Sequence, residues 1–511
     1  MTQAQTRSSA PVAQAADPHL RPALILIVLF ACARTLSALS FTGFGVDEGY
    51  TVAMSRDLSL SYFDHPPLHQ WITHVALVLF GAGPLVRLPF VVLAMGTGWY
   101  LYRITARIFG GRAGLWALLA FGISPYFYAV AGSWVSPDGP LLFSMAAACN
   151  AVLPVLFPPP VLFPPPVLFP QPANAQARAQ AAAVWRPWLW FGFWTGMAGL
   201  SKYLGVFLPL GLFAFLALSP RHRHWIRHPA PWAAAFVAAA IIAPVLIWNA
   251  QNGWVSFAFQ AGRALPVTEP RLVRLGVMAL GQVAYLSPLI VPLLAVAIVR
   301  ALAFTRAEDP ARLLLWLALP CILVMSCTPV WGNSGFPHWT MPGWFFGFAL
   351  FGDWMARNAA PAPQSRPPAR PLDGPLARPP ARPLARPLAL LWVRPRVRLW
   401  AGLWAGTASA FTLALALLFA SVQSSDWLLR ALPARMAAHD PLIETLSWRP
   451  IGAAAALQSG PDWAPAFVLA QNWIDGGKVD LAIGGRLPVL VFNQDPRGFV
   501  FRAQPAAFVG Q

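Results

Sequence analysis

The chain has 511 residues, of which 57% are hydrophobic and 11% charged, and its formal net charge is +18 at pH 7. A soluble globular protein carries about 25% charged residues, so this composition excludes an ordinary soluble domain and points to a polytopic membrane protein. The arginines sit in short clusters between apolar runs, the pattern of cytoplasmic loops under the positive-inside rule. Membrane lipids are therefore expected partners, and nucleic acid is not.

In chain order, residues 1–20 lack the charged start and cleavage pattern of a signal peptide and read as a cytoplasmic tail. A first apolar span covers about 21–42. The stretch Gly43–Leu68, GFGVDEGYTVAMSRDLSLSYFDHPPL, follows it and holds Asp47, Glu48, Arg56, Asp57, Asp64 and His65. Ionisable groups packed between apolar segments are costly unless they serve a site. From Pro66 to Gly81 the pattern is polar on one side and apolar on the other, which predicts a helix lying in the membrane interface.

Further spans fall near 85–105, 113–131, 139–157, 187–200, 203–219, 231–248, 272–299, 313–329, 339–354 and 399–421. If 66–82 does not cross, the clusters Arg103/Arg107/Arg112, 221–228 (RHRHWIRH) and Arg300/Arg306/Arg312 all fall on one face. The expected fold class is an all-α polytopic membrane protein with about 11 transmembrane helices and an amphipathic interfacial helix in the first outer loop.

Two proline-rich tracts interrupt this pattern, a PVLFPP repeat over 154–170 and an ARPL-like repeat over 366–388. Proline at this density removes backbone donors, so both are expected to be extended cytoplasmic linkers, within 154–184 and 356–397. Near the C-terminus, Ala466–Gln471 and Pro488–Asn493 read as short strands around a helix in Asn472–Gly485. The expected division is a tail (1–20), a transmembrane domain (21–422) and a small α/β domain (423–511). The four cysteines lie in apolar segments without metal-ligand spacing and read as small buried hydrophobes.

The predicted topology brings chemistry to one face. The first outer loop supplies Asp47, Glu48, Asp64 and His65, the next supplies Asp138, and Lys202, Arg263 and His338 follow. Each has a plainer use as well. Acids suit the first turn of a helix, Asp138 before Gly-Pro suits a turn, and a lysine at a span end can snorkel to the interface. Together they suit group transfer from a lipid-phosphate carrier: a carboxylate base for the acceptor, and cations or a divalent metal for the departing phosphate. Glu48, Asp64 and Asp138 are the acids available for such a metal. A transporter or flippase would need ionisable groups deep in several spans and repeated halves, whereas these spans are nearly charge-free. A catalytically inactive assembly subunit would not need the four acids that are present.

The motifs VDEGY (46–50), DHPPLHQW (64–71), RLP (87–89), SPDGPLLF (136–143), GLSKY (199–203), PVLIWNAQNGWVSFAFQ (244–260) and PHWTMPGW (337–344) carry a resemblance. The chain resembles the GT-C glycosyltransferases of the protein-mannosyltransferase and aminoarabinose-transferase type, in their bacterial family 39-like branch. The resemblance implies a polyprenyl-phosphate-linked sugar as donor and inverting transfer to a protein, lipid or glycan. It also implies a site facing the periplasm in the bacterial inner membrane. Asp47 is then the expected general base, with Glu48 as a supporting or metal-binding carboxylate, and Asp64 and Asp138 as acceptor-site or metal-site acids. Lys202, His338, His65 and Arg263 are expected to contact the donor phosphate or substrate. Where the aminoarabinose enzymes carry Glu-Lys before PPL, this chain has Asp64-His65, which replaces a fixed cation with a group expected to titrate near neutrality.

Overall fold

A computed structural model describes residues 17–40, 43–158, 173–264, 272–332, 335–359, 403–411, 413–414, 447–458, 465–503 and 505–508. The chain begins with α1 (Leu20–Ser40), α2 (Val46–Met54) and α3 (Leu68–Phe80), followed by α4 (Leu88–Phe109), α5 (Gly111–Ile123), α6 (Pro125–Tyr128) and α7 (Asp138–Leu156). The middle holds α8 (Ala173–Ser201), α9 (Phe207–Leu218), α10 (Pro229–Gln251) and α11 (Val255–Ala264). Next come α12 (Leu272–Leu286), α13 (Val291–Phe304), α14 (Pro310–Trp331) and α15 (Met341–Asn358). Among the described residues, five helices are long and apolar enough to cross a membrane, ending at Ser40, Phe109, Leu156, Gln251 and Val330.

Two boundaries differ from the sequence-based expectation. The segment 272–299 is not one straight span, because α12 and α13 are bent by 101°. Ser287 has φ +88°, and Pro288 and Pro292 frame the break, so neither backbone donors nor dihedrals allow a continuous helix there. The proline repeat begins inside α7, which continues through Pro154 to Leu156, while α8 starts at Ala173 within the expected linker. The rest of that repeat, the ARPL-like tract and most of the predicted span 399–421 lie outside the described residues.

The main core lies where α4, α5, α7, α8, α14 and α15 meet, filled by Phe121, Phe127, Met145, Phe345 and Phe348. Helix α3 turns its polar residues His69, Gln70 and Thr73 inward and leaves Val75, Val78 and Leu79 exposed. That is the orientation of a helix whose outer side meets hydrocarbon instead of water.

The C-terminal segment adds α16 (Arg449–Gln458), β1 (Val468–Ala470), α17 (Trp473–Ala482) and β2 (Val489–Val491), with β1 and β2 paired in parallel. Asn472 caps α17 by accepting from the Asp475 N–H at 2.8 Å. Gly484 and Gly485, at φ +69° and +68°, turn the chain back toward β2. This β-α-β unit shares its core with the first loop. Tyr50, Ala53, Met54 and Tyr62 pack with Ala470, Val489, Val491 and Phe499.

Ion pairs fasten the same joint. Buried Asp480 on α17 accepts from Arg56 at 2.7 Å and Arg502 at 3.0 Å, and Arg502 also reaches Asp57 at 2.9 Å. Helices α2 and α17 touch backbone to backbone, and a Cβ on Gly477 would lie 2.7 Å from the Tyr50 nitrogen. Gly477→Val is therefore expected to undock the unit at a cost of about 1–3 kcal/mol. Limited proteolysis checks this, with faster cleavage after residue 465 as the expected outcome.

Candidate active site

The acidic pair sits in the first turn of α2. Successive helical residues point about 100° apart, so two adjacent carboxylates cannot face the same way. Glu48 turns inward. Its carboxylate accepts from Arg87 at 2.8 and 2.7 Å, from the Gly45 N–H at 2.9 Å and from the Val135 N–H at 3.0 Å. Arg87 in turn donates to the Ala38 and Gly43 carbonyls at 3.0 and 2.8 Å and lies over Phe44. Both ends of this pair are about 2% exposed. The expectation of Glu48 as a metal-binding or catalytic acid is thus corrected. Its lone pairs are filled, and it ties the start of α2 to α1, the turn before α4 and the loop before α7.

Asp47 faces the other way and stays solvent-accessible, although protein surrounds it. Partial desolvation pushes its pKa above the ordinary carboxylate value, Arg497 and Lys202 oppose that shift, and Asp64 and Asp138 add to it. This is the setting of a carboxylate that can take a proton.

The other expected residues surround it as charge pairs. Asp138, the first residue of α7, accepts from Lys202 Nζ at 2.8 and 3.0 Å, both groups being buried. The turn reading of Asp138 and the snorkelling reading of Lys202 give way to a pair that joins the α7 start to the α8–α9 junction. Asp64 is buried, 3.5 Å from an Arg497 nitrogen, and receives Tyr50 Oη at 3.4 Å. Gln260 on α11 donates to the Asp64 carbonyl at 2.7 Å. Arg263, further along α11, lies 4.4 Å above the Phe259 ring. The loop before α11 is held by Asn249, whose side chain accepts from the Ser256 N–H at 3.1 Å.

His65 and His338 both feel Lys202, Asp138 and Arg263, which places them in the same cluster. Burial first, and then the Lys202 charge, pushes each down to about 3. The expectation that His65 titrates near neutrality is corrected. Both imidazoles are neutral at pH 7 and offer hydrogen bonds in place of charge.

Each carboxylate of the expected metal set has a cationic side chain as partner: Arg87 for Glu48, Arg497 for Asp64 and Lys202 for Asp138. Among the described residues no three His, Cys, Asp or Glu side chains gather to hold a metal ion. These three acids therefore do not fit a shared metal site.

Sequence reasoning missed Arg497. It arrives from the C-terminal segment, stacks 3.5 Å above the Trp473 ring and lies 5.8 Å from the Phe259 ring centre. The local signal was Asp-Pro-Arg-Gly, a turn-forming sequence holding a cation in an apolar tail. Beside the cluster opens an apolar groove of about 530 Å³. It starts at Tyr203, next to Lys202, and at Phe257, and runs between α8, α9 and α10 to Trp188 and Trp232.

Comparisons with known proteins find likeness over part of the sequence and across the fold. The dolichyl-phosphate-mannose-protein mannosyltransferase family model matches residues 64–156 and 175–248. The lipid A galacturonosyltransferase RgtD of Rhizobium johnstonii is 24% identical over 346 residues, which cover 65% of this chain and 64% of that protein. ArnT from Cupriavidus metallidurans bound to undecaprenyl phosphate superposes with a TM-score of 0.57 at 18% identity, over 94% of this chain and 88% of that one. The apo form of ArnT gives the same TM-score at 17% identity, over 95% and 88%. Together these likenesses lead to one conclusion: this chain has the fold of ArnT, and part of it resembles the protein-mannosyltransferase family.

Proposed function

We propose that the protein is an integral membrane glycosyltransferase that moves a sugar from a polyprenyl phosphate to an acceptor at the periplasmic face of a bacterial inner membrane. The observation that carries this reading is the accessible carboxylate of Asp47 among Lys202, Arg263 and Arg497, with an apolar groove that begins at Tyr203, the residue after Lys202. Support for the donor class comes from the ArnT complex with undecaprenyl phosphate and from the galacturonosyltransferase relative.

In the proposed reaction, Asp47 removes the proton from an acceptor hydroxyl as its oxygen attacks the anomeric carbon. The bond from that carbon to the phosphate oxygen breaks on the opposite side, so the configuration inverts. The electron pair leaves with the polyprenyl phosphate, whose charge the surrounding cations balance. Asp138 keeps Lys202 extended toward the cluster, and the neutral His65 and His338 donate or accept hydrogen bonds to substrate oxygens. Side-chain cations fill the role that a divalent ion would take, so chelation is expected to leave transfer unchanged.

In the proposed topology of eleven crossings, with the bent pair α12–α13 counted as one, the arginine clusters lie opposite the site, on the cytoplasmic side. The β-α-β unit then forms a periplasmic cover over α2.

The groove provides the test. Ala239 is an exposed lining residue on α10, so Ala239→Trp narrows the groove without disturbing the core. This variant is expected to weaken binding of a long-chain polyprenyl phosphate about tenfold, the effect of losing burial of about two methylene-sized groups of the chain. Binding of a short-chain analogue is expected to stay unchanged. Equal affinity of the variant and the parent for the long chain would remove the groove from the donor site.

A further inference from the structure

We propose that Arg497, delivered by the C-terminal segment, closes with Arg263 on the donor phosphate as a two-arm clamp. This rests on the polyprenyl-phosphate reading above and assigns a new residue to it.

Three independent features single out Arg497. The first is its partners. Its side chain is 13% exposed, yet its nearest carboxylate oxygens, on Asp495 and Asp64, lie 3.4 and 3.5 Å away. Among the described residues it makes no shorter hydrogen bond. Arg87, by contrast, makes four contacts between 2.7 and 3.0 Å. A guanidinium prefers short, two-pronged contacts to oxyanions. Arg497 is therefore enclosed and oriented, with donor capacity left for a ligand.

The second feature is its neighbour. Arg263 lies 4.4 Å and Arg497 5.8 Å from the centre of the Phe259 ring, so their guanidinium carbons are at most about 10 Å apart. Arg263 feels the charge of Arg497. Two like charges gathered around one aromatic ring repel, and an anion between them turns that repulsion into attraction. A phosphate has the size and the oxygens to meet both.

The third feature is the backbone. Arg497 adopts φ +48°, a left-handed conformation unfavourable for a residue with a side chain. The next residue, Gly498, donates its N–H to Tyr50 Oη at 3.0 Å, and a Cβ there would lie 2.6 Å from Met54 Sδ. The strained turn is thus clamped onto α2, the helix that carries Asp47. Its result is to aim Arg497 between Trp473 and Asp64. The docking contacts of the β-α-β unit thereby set the position of one arm of the clamp.

The test measures equilibrium binding of undecaprenyl phosphate and of undecaprenol to the purified full chain. Arg497→Ala is expected to weaken the phosphate lipid about 10- to 100-fold, as expected for lost charge-assisted hydrogen bonds, and to leave undecaprenol binding unchanged. Arg497→Lys keeps a charge beside Asp64 but loses the fork, and is expected to give an intermediate affinity with a normal melting temperature. Unchanged phosphate binding in Arg497→Ala overturns the clamp, as does an equal loss for both lipids, which marks a purely structural role. If the parent protein does not bind undecaprenyl phosphate, the donor reading itself fails and the clamp with it.

Discussion

Asp47→Asn is expected to lower kcat/KM about 10²- to 10⁴-fold, the range supplied by a positioned general base, while the protein folds and binds polyprenyl phosphate as before. The amide has nearly the shape of the carboxylate, and among the described residues Asp47 makes no ion pair that its loss would break. The effect must therefore come from chemistry. The pH profile gives a second signature. The base works when deprotonated, so the rate falls as pH drops through its pKa, and desolvation raises that pKa above the ordinary carboxylate value. The acid limb of the parent should accordingly lie at higher pH than an exposed aspartate would give. Arg497, Asp64, Lys202 and Asp138 are the charges that set it. A normal rate in Asp47→Asn would remove the base assignment.

Glu48→Ala is expected to act in the opposite manner, on stability and not on chemistry. It strands the buried Arg87 guanidinium and frees the Gly45 and Val135 N–H groups. Removing one partner of a buried ion pair costs about 3–5 kcal/mol. The expected outcome is a large drop in melting temperature or loss of recoverable protein in detergent. Arg87→Met should do the same. The double variant Glu48→Leu/Arg87→Met should cost less than the two single changes combined, since neither charge is then left unpaired. A Glu48→Ala protein that melts normally but does not turn over would return Glu48 to the catalytic machinery.

The contrast between these neighbours shows what could be read from residues alone. Hydropathy and arginine clusters located most of the helices, because the pattern of a long apolar helix is local. The break at Ser287 was missed because the apolar run continues on both sides of it. The motif residues Asp47, Asp64, Asp138, Lys202 and His338 were identifiable as a group because membrane burial makes scattered ionisable groups rare. Which acid of the pair at 47–48 serves the site was not legible, since that depends on where α2 packs. Nor was the charge state of His65, which depends on burial and on Lys202 brought from far along the chain. Arg497 is the extreme case, as it reaches a site begun some 450 positions earlier through the packing of Gly477 and Gly498 on α2. The strands and helix of the C-terminal unit were visible in sequence, and their dependence on the first loop for a core was not.

In the proposed function, this cluster breaks the bond between a sugar and a polyprenyl phosphate. The direct measurement is release of free polyprenyl phosphate when the purified protein is incubated with a panel of polyprenyl-phosphate-linked sugars and membrane-derived acceptors. The expected result is turnover of at least one donor by the parent protein, insensitive to chelators and lost in Asp47→Asn. Failure to turn over any donor, or equal turnover by Asp47→Asn, would contradict it.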